Sequence, residues 1–263
     1  MKDYIKMQKI IYKLRFGLRI LKEYSTWILA FKDYFGLIRQ KRLKIHVMRN
    51  GAKYYFRPKT EDFGIINEIY VVKEYDFLIK HIKEKSTIID IGAQMGVFSI
   101  YAGLLKKSGK IYSYEPFKPN YDLLIKNIEL NHLKNKIFAF QLGIGKNEEE
   151  RDFILCPINT GGHGFYCTDG GKKIKIKTIS LKKVFEENKI RECDFLKMDC
   201  EGAEYEILYN TPKKYLDRIK SMSVEYHKNG DVNKLKKYLE KNGFKITITH
   251  LGEGMLYAEK NGI

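Results

Sequence analysis

The segment TIIDIGAQMGVFSIY, residues 87–101, sets a short apolar run closed by Asp90 against two glycines and a second apolar run of different rhythm. The first run has the length of a buried strand, Gly92 and Gly96 mark a tight turn, and the run after them is spaced for a helix. In an open parallel sheet, ligands lie outside the carboxyl ends of the strands, where the first strand hands over to its helix. A pyrophosphate at that place takes G-x-G-x-x-G, whose middle glycine lets the phosphate approach. Here Gln94 stands in the middle and no phosphate-loop lysine follows.

The spacing D-x-G-x-x-x-G suits a ligand with an amino-acid end and a ribose but no phosphate. Loop amides and the helix start receive its carboxylate, and Asp90 meets its ammonium group directly or through water. S-adenosylmethionine is such a ligand, so Asp90, Gly92, Ala93, Gly96, Phe98 and Ser99 are expected around it. The next strand-like run, KIYSYE (110–115), ends in Glu115 and is followed by Pro116, both expected at the cofactor. An acid at this distance from the first strand accepts hydrogen bonds from ribose hydroxyls. In QLGIG (141–145), Gly143 and Ile144 are expected beside the adenine, and the helical segment 60–82 is expected to bring Glu68 and Tyr75 toward the glycine turn.

Strand and helix patterns alternate onward from Ser86, with strands at 86–90, 110–115, 136–142, 194–199 and 221–227 and helices between them. Such alternation implies right-handed crossovers and a mostly parallel sheet. The chain closes on GFKITITHLGEGMLYAEK (243–260), two alternating runs joined by a glycine turn, hence an antiparallel hairpin. The expected fold class is α/β: a Rossmann-like class I methyltransferase fold with a mostly parallel seven-stranded sheet and an antiparallel C-terminal hairpin.

Charge separates the N-terminus from the rest. The net charge over 263 residues is +17, yet residues 1–60 hold 16 Lys/Arg against Asp3, Glu23 and Asp33. From Met7 to Ile38 apolar residues recur at helical steps with basic residues between them, broken near Ser25 or Gly36. LKIHVMRNGAKYYFRP (43–58) alternates around Asn50-Gly51, a hairpin signal. The expected division is therefore a basic helical extension with a hairpin over 1–60 and a catalytic domain over 61–263. Residues 1–40 are read either as a contact for an anionic membrane surface or a glycan-assembly partner, or as helices packed on their own chain.

No apolar run reaches membrane-spanning length and no signal-peptide core is present, so a cytoplasmic protein is expected, with the inner membrane surface as its peripheral site. Cys156, Cys167, Cys193 and Cys200 have no C-x-x-C spacing, and free thiols are expected rather than zinc or disulfides. No resident metal is assigned.

KMDCEGAE (197–204) crowds Lys197, Asp199, Glu201 and Glu204 at a strand end. Acids so close repel one another, which favours a site that binds cations or moves protons. Glu204 is expected to cap or solvate the following helix. Methyl transfer from a sulfonium is an in-line displacement, and a hydroxyl acceptor needs a group nearby that takes its proton. Asp199, Glu201 and His227 offer that set, His227 because SVEYH (223–227) ends the next strand on the same rim. Enzymes that methylate exocyclic amines of bases carry Asn/Asp-Pro-Pro-aromatic where this chain has KMDCEGAE, which favours an oxygen acceptor.

IDIGAQMGVFSIYA (89–102), YSYEPFKPNYDLLIKNIELN (112–131), TISLKKV (178–184) and DFLKMDCEGAEYEILYN (194–210) together resemble the FkbM family of methyltransferases, from about residue 60 to the end. The resemblance implies an S-adenosylmethionine-dependent O-methyltransferase acting on sugars, polysaccharide precursors or polyketide hydroxyls. It implies cofactor roles for Asp90, Gly92, Gly96 and Glu115, and active-site roles for Asp199 and Glu201. It does not reach residues 1–40 or the loop CPINTGGHGFYCTDGG (156–171), where His163, with Lys197 nearby, is expected to select a small-molecule or glycan acceptor. Two other readings stand beside it: an RNA methyltransferase that holds phosphates with its basic N-terminus, ranked second, and a non-catalytic binding module.

Overall fold

The Asn50-Gly51 signal yields a hairpin of β1 (Lys44–Val47) and β2 (Lys53–Phe56), with Lys44 opposite Phe56. The computed structural model describes residues 14–40, 42–75, 82, 84–105, 108–156, 162–166, 171–249 and 254–262. Residues 1–13 of the N-terminal helical pattern, much of the glycine-rich loop and Gly252-Glu253 of the terminal turn lie outside the described residues.

The chain divides into two compact units after Glu74, later than the division expected after residue 60. The reason lies in the helix Asp62–Asn67 and the π-helical turn Glu68–Val72 that continues it. Arg57 grips Asp62 at 2.7 Å, Tyr24 donates to Asn67 at 3.0 Å, and the Tyr54 and Tyr70 hydroxyls meet at 2.7 Å. These bonds tie the segment to the hairpin, to Arg57 just after it, and to Tyr24 between the N-terminal helices. Residues 14–23 and Trp27–Tyr34 form two helices, broken at Ser25 and ended at Gly36 (φ +65°), as the pattern required.

In the second unit, β3 (Ser86–Ile91), β4 (Ser108–Tyr114), β5 (Ile137–Phe140), β9 (Cys193–Met198) and β10 (Ile219–Tyr226) run parallel. With β11 (Phe244–Ile248) and β12 (Gly254–Lys260) they form a sheet in the order β11-β12-β10-β9-β3-β4-β5, with β12 antiparallel to both neighbours. Helices Val97–Leu104, Lys118–Leu130, Leu181–Glu187 and Glu204–Asn210 connect the strands. Ile88, Ile89 and Ile91 are buried, each contributing about 2 kcal/mol of apolar transfer energy. Strand order reverses at β3, which pairs with β4 on one side and β9 on the other, so the ligand crevice is set at their carboxyl ends.

A second sheet of order β6-β8-β7 was not anticipated: β6 (Gly143–Gly145), β7 (Glu149–Leu155) and β8 (Lys172–Ser180). Gly143 and Ile144 belong to this sheet, opposite Thr178 and Ile179, rather than to the end of the third parallel strand. Cys156 is disulfide-bonded while Cys193 and Cys200 are free, so the expectation of free thiols fails at Cys156. A bridge requires proximity in space, not C-x-x-C spacing. Among the described residues, no helix is long and apolar enough to cross a membrane.

Candidate active site

The turn after β3 is built from left-handed backbone, with φ +74° at Gly92, +49° at Gln94 and +88° at Gly96. The amides of Gly92 and Ala93 both donate to the Tyr114 carbonyl at 3.0 Å, which fastens the turn to the end of β4. A Cβ on Gly92 would lie 1.6 Å from the Asp199 carbonyl oxygen, so only glycine lets the turn touch the end of β9. A Cβ on Gly96 would meet the side chain of Leu124 at 2.4 Å.

Glu115 closes the turn from the β4 side. Its carboxylate accepts the Gln94 amide at 2.9 Å and the Phe117 amide at 2.8 Å. Burial pushes its pKa up to about 7, against those bonds and the Lys197 charge. Pro116, beside it, is half-buried.

Asp90 is enclosed at the end of β3 and accepts from Ser99, whose hydroxyl lies 2.6 Å from that of Ser113. Its Oδ1 is buried without a hydrogen bond, 3.6 Å from the Lys197 ammonium. Burial raises the Asp90 pKa, and Lys197 opposes the shift. Lys197, expected at the substrate, is buried and donates to the Gly92 carbonyl at 2.8 Å and to Asp199 at 3.3 Å. It is a tie beneath the turn that binds β9 to β3.

Several expected cofactor contacts serve the core instead. Phe98 is buried between Tyr75 and Phe195, with ring centroids at 5.1 and 5.7 Å, and so props the turn from below. The Ile144 side chain is buried in the hydrophobic core, and a Cβ on Gly143 would meet Ile176 at 2.9 Å. Glu68 is not a core residue: it is exposed, at the start of the π-helical turn Glu68–Val72.

The other half of the site follows β9. Glu201 (φ +54°) and Gly202 (φ +100°) are both left-handed and turn the chain so that Glu201 faces the end of β10. One donor atom each from Asp199, Glu201 and His227 lie within 4.8 Å of one another, all three residues half-buried, a set able to share a proton or hold a divalent cation. His227 has Nε2 at 3.2 Å from Glu201 and Nδ1 at 3.2 Å from Glu204. Burial alone would lower its pKa, but the two carboxylates outweigh it and push it up to about 11. At neutral pH the ring is an imidazolium with both N–H groups donated. Burial raises the Glu201 pKa, and the bond to His227 opposes that shift.

Glu204 departs from expectation. Far from being solvated, it is fully buried and accepts the amides of Cys200 at 3.1 Å and Gly202 at 3.2 Å as well as His227. It orients both the turn and the ring, a role whose only trace in the sequence is the repeated Glu of E-G-A-E. Asn229, also missed, donates to the Gly202 carbonyl at 2.7 Å.

The described part of the glycine-rich loop reaches both halves. The His163 ring stands edge-on to Phe117, centroids 4.9 Å apart, and its Nδ1 accepts the Cys156 amide at 3.1 Å. Gly164 bridges to Ile154 of β7, and a Cβ there would lie 2.7 Å from that of Glu201.

The pattern of the Methyltransferase FkbM domain matches residues 90–246, which span the turn, Glu115, the acidic cluster and His227. Methyltransferase sdnD of Sordaria araneosa is 26% identical, the match covering 74% of this chain and 86% of that protein. Hexuronic acid methyltransferase AglP of Haloferax volcanii is 24% identical, over 66% of this chain and 70% of the relative. Among solved structures, Methyltransferase FkbM from Methylobacillus flagellatus KT is similar in fold, with TM-score 0.50 and 16% identity over 74% of this chain; the present chain spans only 53% of that protein.

Proposed function

The chain belongs to the FkbM family of S-adenosylmethionine-dependent methyltransferases, and from that premise we propose that it methylates a hydroxyl oxygen of a saccharide or related metabolite. The observation that carries this reading is the convergence of Asp199, Glu201 and His227 on one rim, beside a turn that touches the Asp199 backbone. The name of the relative AglP, a hexuronic acid methyltransferase, supports a saccharide acceptor.

The residues at the turn fit the cofactor. Asp90 Oδ1 is buried, 3.6 Å from the Lys197 ammonium and with no geometric hydrogen bond, and so has acceptor capacity for a water that bridges to the cofactor's ammonium group. Glu115 accepts one amide on each oxygen and a side-chain hydrogen bond from Asn120, and a carboxylate's remaining acceptor capacity is suited to a ribose hydroxyl. When bound, S-adenosylmethionine supplies an electrophilic methyl on a sulfonium, which becomes a neutral thioether once the acceptor oxygen takes the methyl carbon. The acceptor proton passes to the Asp199–Glu201 pair. His227, already an imidazolium, is not the base; it holds Glu201 in place and balances the charge of the pair.

Two measurements test the cofactor half. In titrations with S-adenosylmethionine, Glu115→Gln and Asp90→Asn are each expected to weaken binding at least about tenfold, the scale of one charge-assisted hydrogen bond. Wild-type affinity in both variants would remove the assignment. The second measurement is pH dependence. Glu115 has a folded pKa raised to about 7 by burial, so it binds a proton more readily in the folded than in the unfolded chain. Its contribution to stability is fully present below the usual glutamate pKa and is lost as pH rises through about 7. Ribose hydroxyls donate to the ionised form, so cofactor affinity should change oppositely, falling as pH drops below about 7. Glu115→Gln should abolish that pH dependence.

For the acceptor, cell extract incubated with methyl-labelled cofactor is expected to place label in the saccharide fraction. Label confined to RNA would reverse the proposal.

A further inference from the structure

The N-terminal unit carries a feature that methyl transfer does not use: large apolar side chains on its outer surface. Leu14 and Leu18, one turn apart on the helix of residues 14–23, and Phe35 and Leu37, just past the helix Trp27–Tyr34, are each between 63% and 66% exposed. Ile28 is more than half exposed, and Leu21 continues the face of Leu14 and Leu18 at the i+7 position. The two helices pack together, with the Phe16 and Tyr34 rings 5.2 Å apart and Phe31 3.7 Å from the Cβ position of Gly17. The exposed groups therefore sit on joined elements, unlike the scattered apolar residues of an ordinary surface.

The charges around them have one sign. Among described residues 14–43, every exposed charged side chain is Lys or Arg, including Arg15, Lys22, Lys32, Arg39 and Arg42. The two acids in this span are half-buried and engaged, Glu23 at 3.6 Å from Lys73 and Asp33 at 3.4 Å from His46. We propose that this face docks on an anionic lipid bilayer. Its apolar side chains enter the boundary between headgroups and acyl chains, and its Lys and Arg side chains meet lipid phosphates. Trp27 and Tyr34, both partly exposed, have the amphipathic rings that this boundary favours.

Charge complementarity selects this occupant. A second copy of the face would bring cation against cation. A nucleic acid would satisfy the cations and leave the leucines in water.

The test is co-sedimentation of the full chain with vesicles of phosphatidylcholine alone or with about 30% phosphatidylglycerol. Binding is expected to the anionic vesicles, at least about tenfold weaker to the neutral ones, and to weaken as salt rises. Leu18→Glu/Phe35→Glu should lose at least about tenfold in vesicle affinity, and Lys22→Glu/Arg39→Glu about fivefold or more per residue. Thermal midpoint and S-adenosylmethionine affinity serve as fold controls and should stay at wild-type values in both variants. Three outcomes overturn the proposal: wild type that does not sediment with anionic vesicles, variants that sediment equally well, or a dimer that Leu18→Glu/Phe35→Glu dissolves in a protein that ignores vesicles.

Discussion

Asp199→Asn is expected to lower kcat about 10²–10⁴-fold while leaving S-adenosylmethionine affinity within about threefold of wild type. The substitution keeps the volume and the backbone contact with Gly92, but removes the charge that shares the rim with Glu201 and His227. Glu201→Gln is expected to fall in the same range, because the two carboxylates share one rim and His227 contacts both Glu201 and Glu204 at 3.2 Å. Single-turnover rates and cofactor titrations separate the outcomes. If Asp199→Asn weakened cofactor binding by the whole of its effect on kcat/KM, Asp199 would belong with the cofactor and the assignment of the acceptor side would be lost.

Gly92→Ala is expected to be the most damaging single methyl addition at the site, destabilising the second unit by about 3 kcal/mol or more and abolishing cofactor binding. Two costs combine there. Left-handed φ at an alanine costs about 1–2 kcal/mol, and the added Cβ would lie 1.6 Å from a carbonyl oxygen that cannot swing aside as a side-chain tip could. Gly51→Ala separates the two, since Gly51 has φ +91° and nothing within 4 Å of its Cβ position. It should lose only the conformational part. Chemical denaturation of both variants checks the difference, and equal losses would show that contact with β9 is unimportant.

The parallel strands and their helices were legible because each strand carries a short apolar centre, Ile88-Ile89 in 86–91 and Phe195-Leu196 in 193–198, and turns follow them at glycine or acid. The strand β7 was not, because Glu149–Leu155 lies mostly at the surface and its charges answer to β8, as in the 2.7 Å pair of Asp152 with Lys175. The division after Glu74 was equally hidden, resting on side-chain bonds such as Tyr24 to Asn67 that span 43 positions.

The sequence by itself determined the order of the parallel strands and their helices, the glycine turn after Asp90, the acid at Glu115 and the acids at the end of β9. Each is set by local backbone preference and by hydrophobic period, which a linear string carries. Only the tertiary structure decided what those residues do to one another. Lys197 became a tie under Gly92, Phe98 became core, Glu204 became the buried support of His227, and the leucines of the basic helices were left facing water. Those outcomes depend on distances between strand ends and on which side chains are removed from water, and both are set when the sheet closes around β3 and β9.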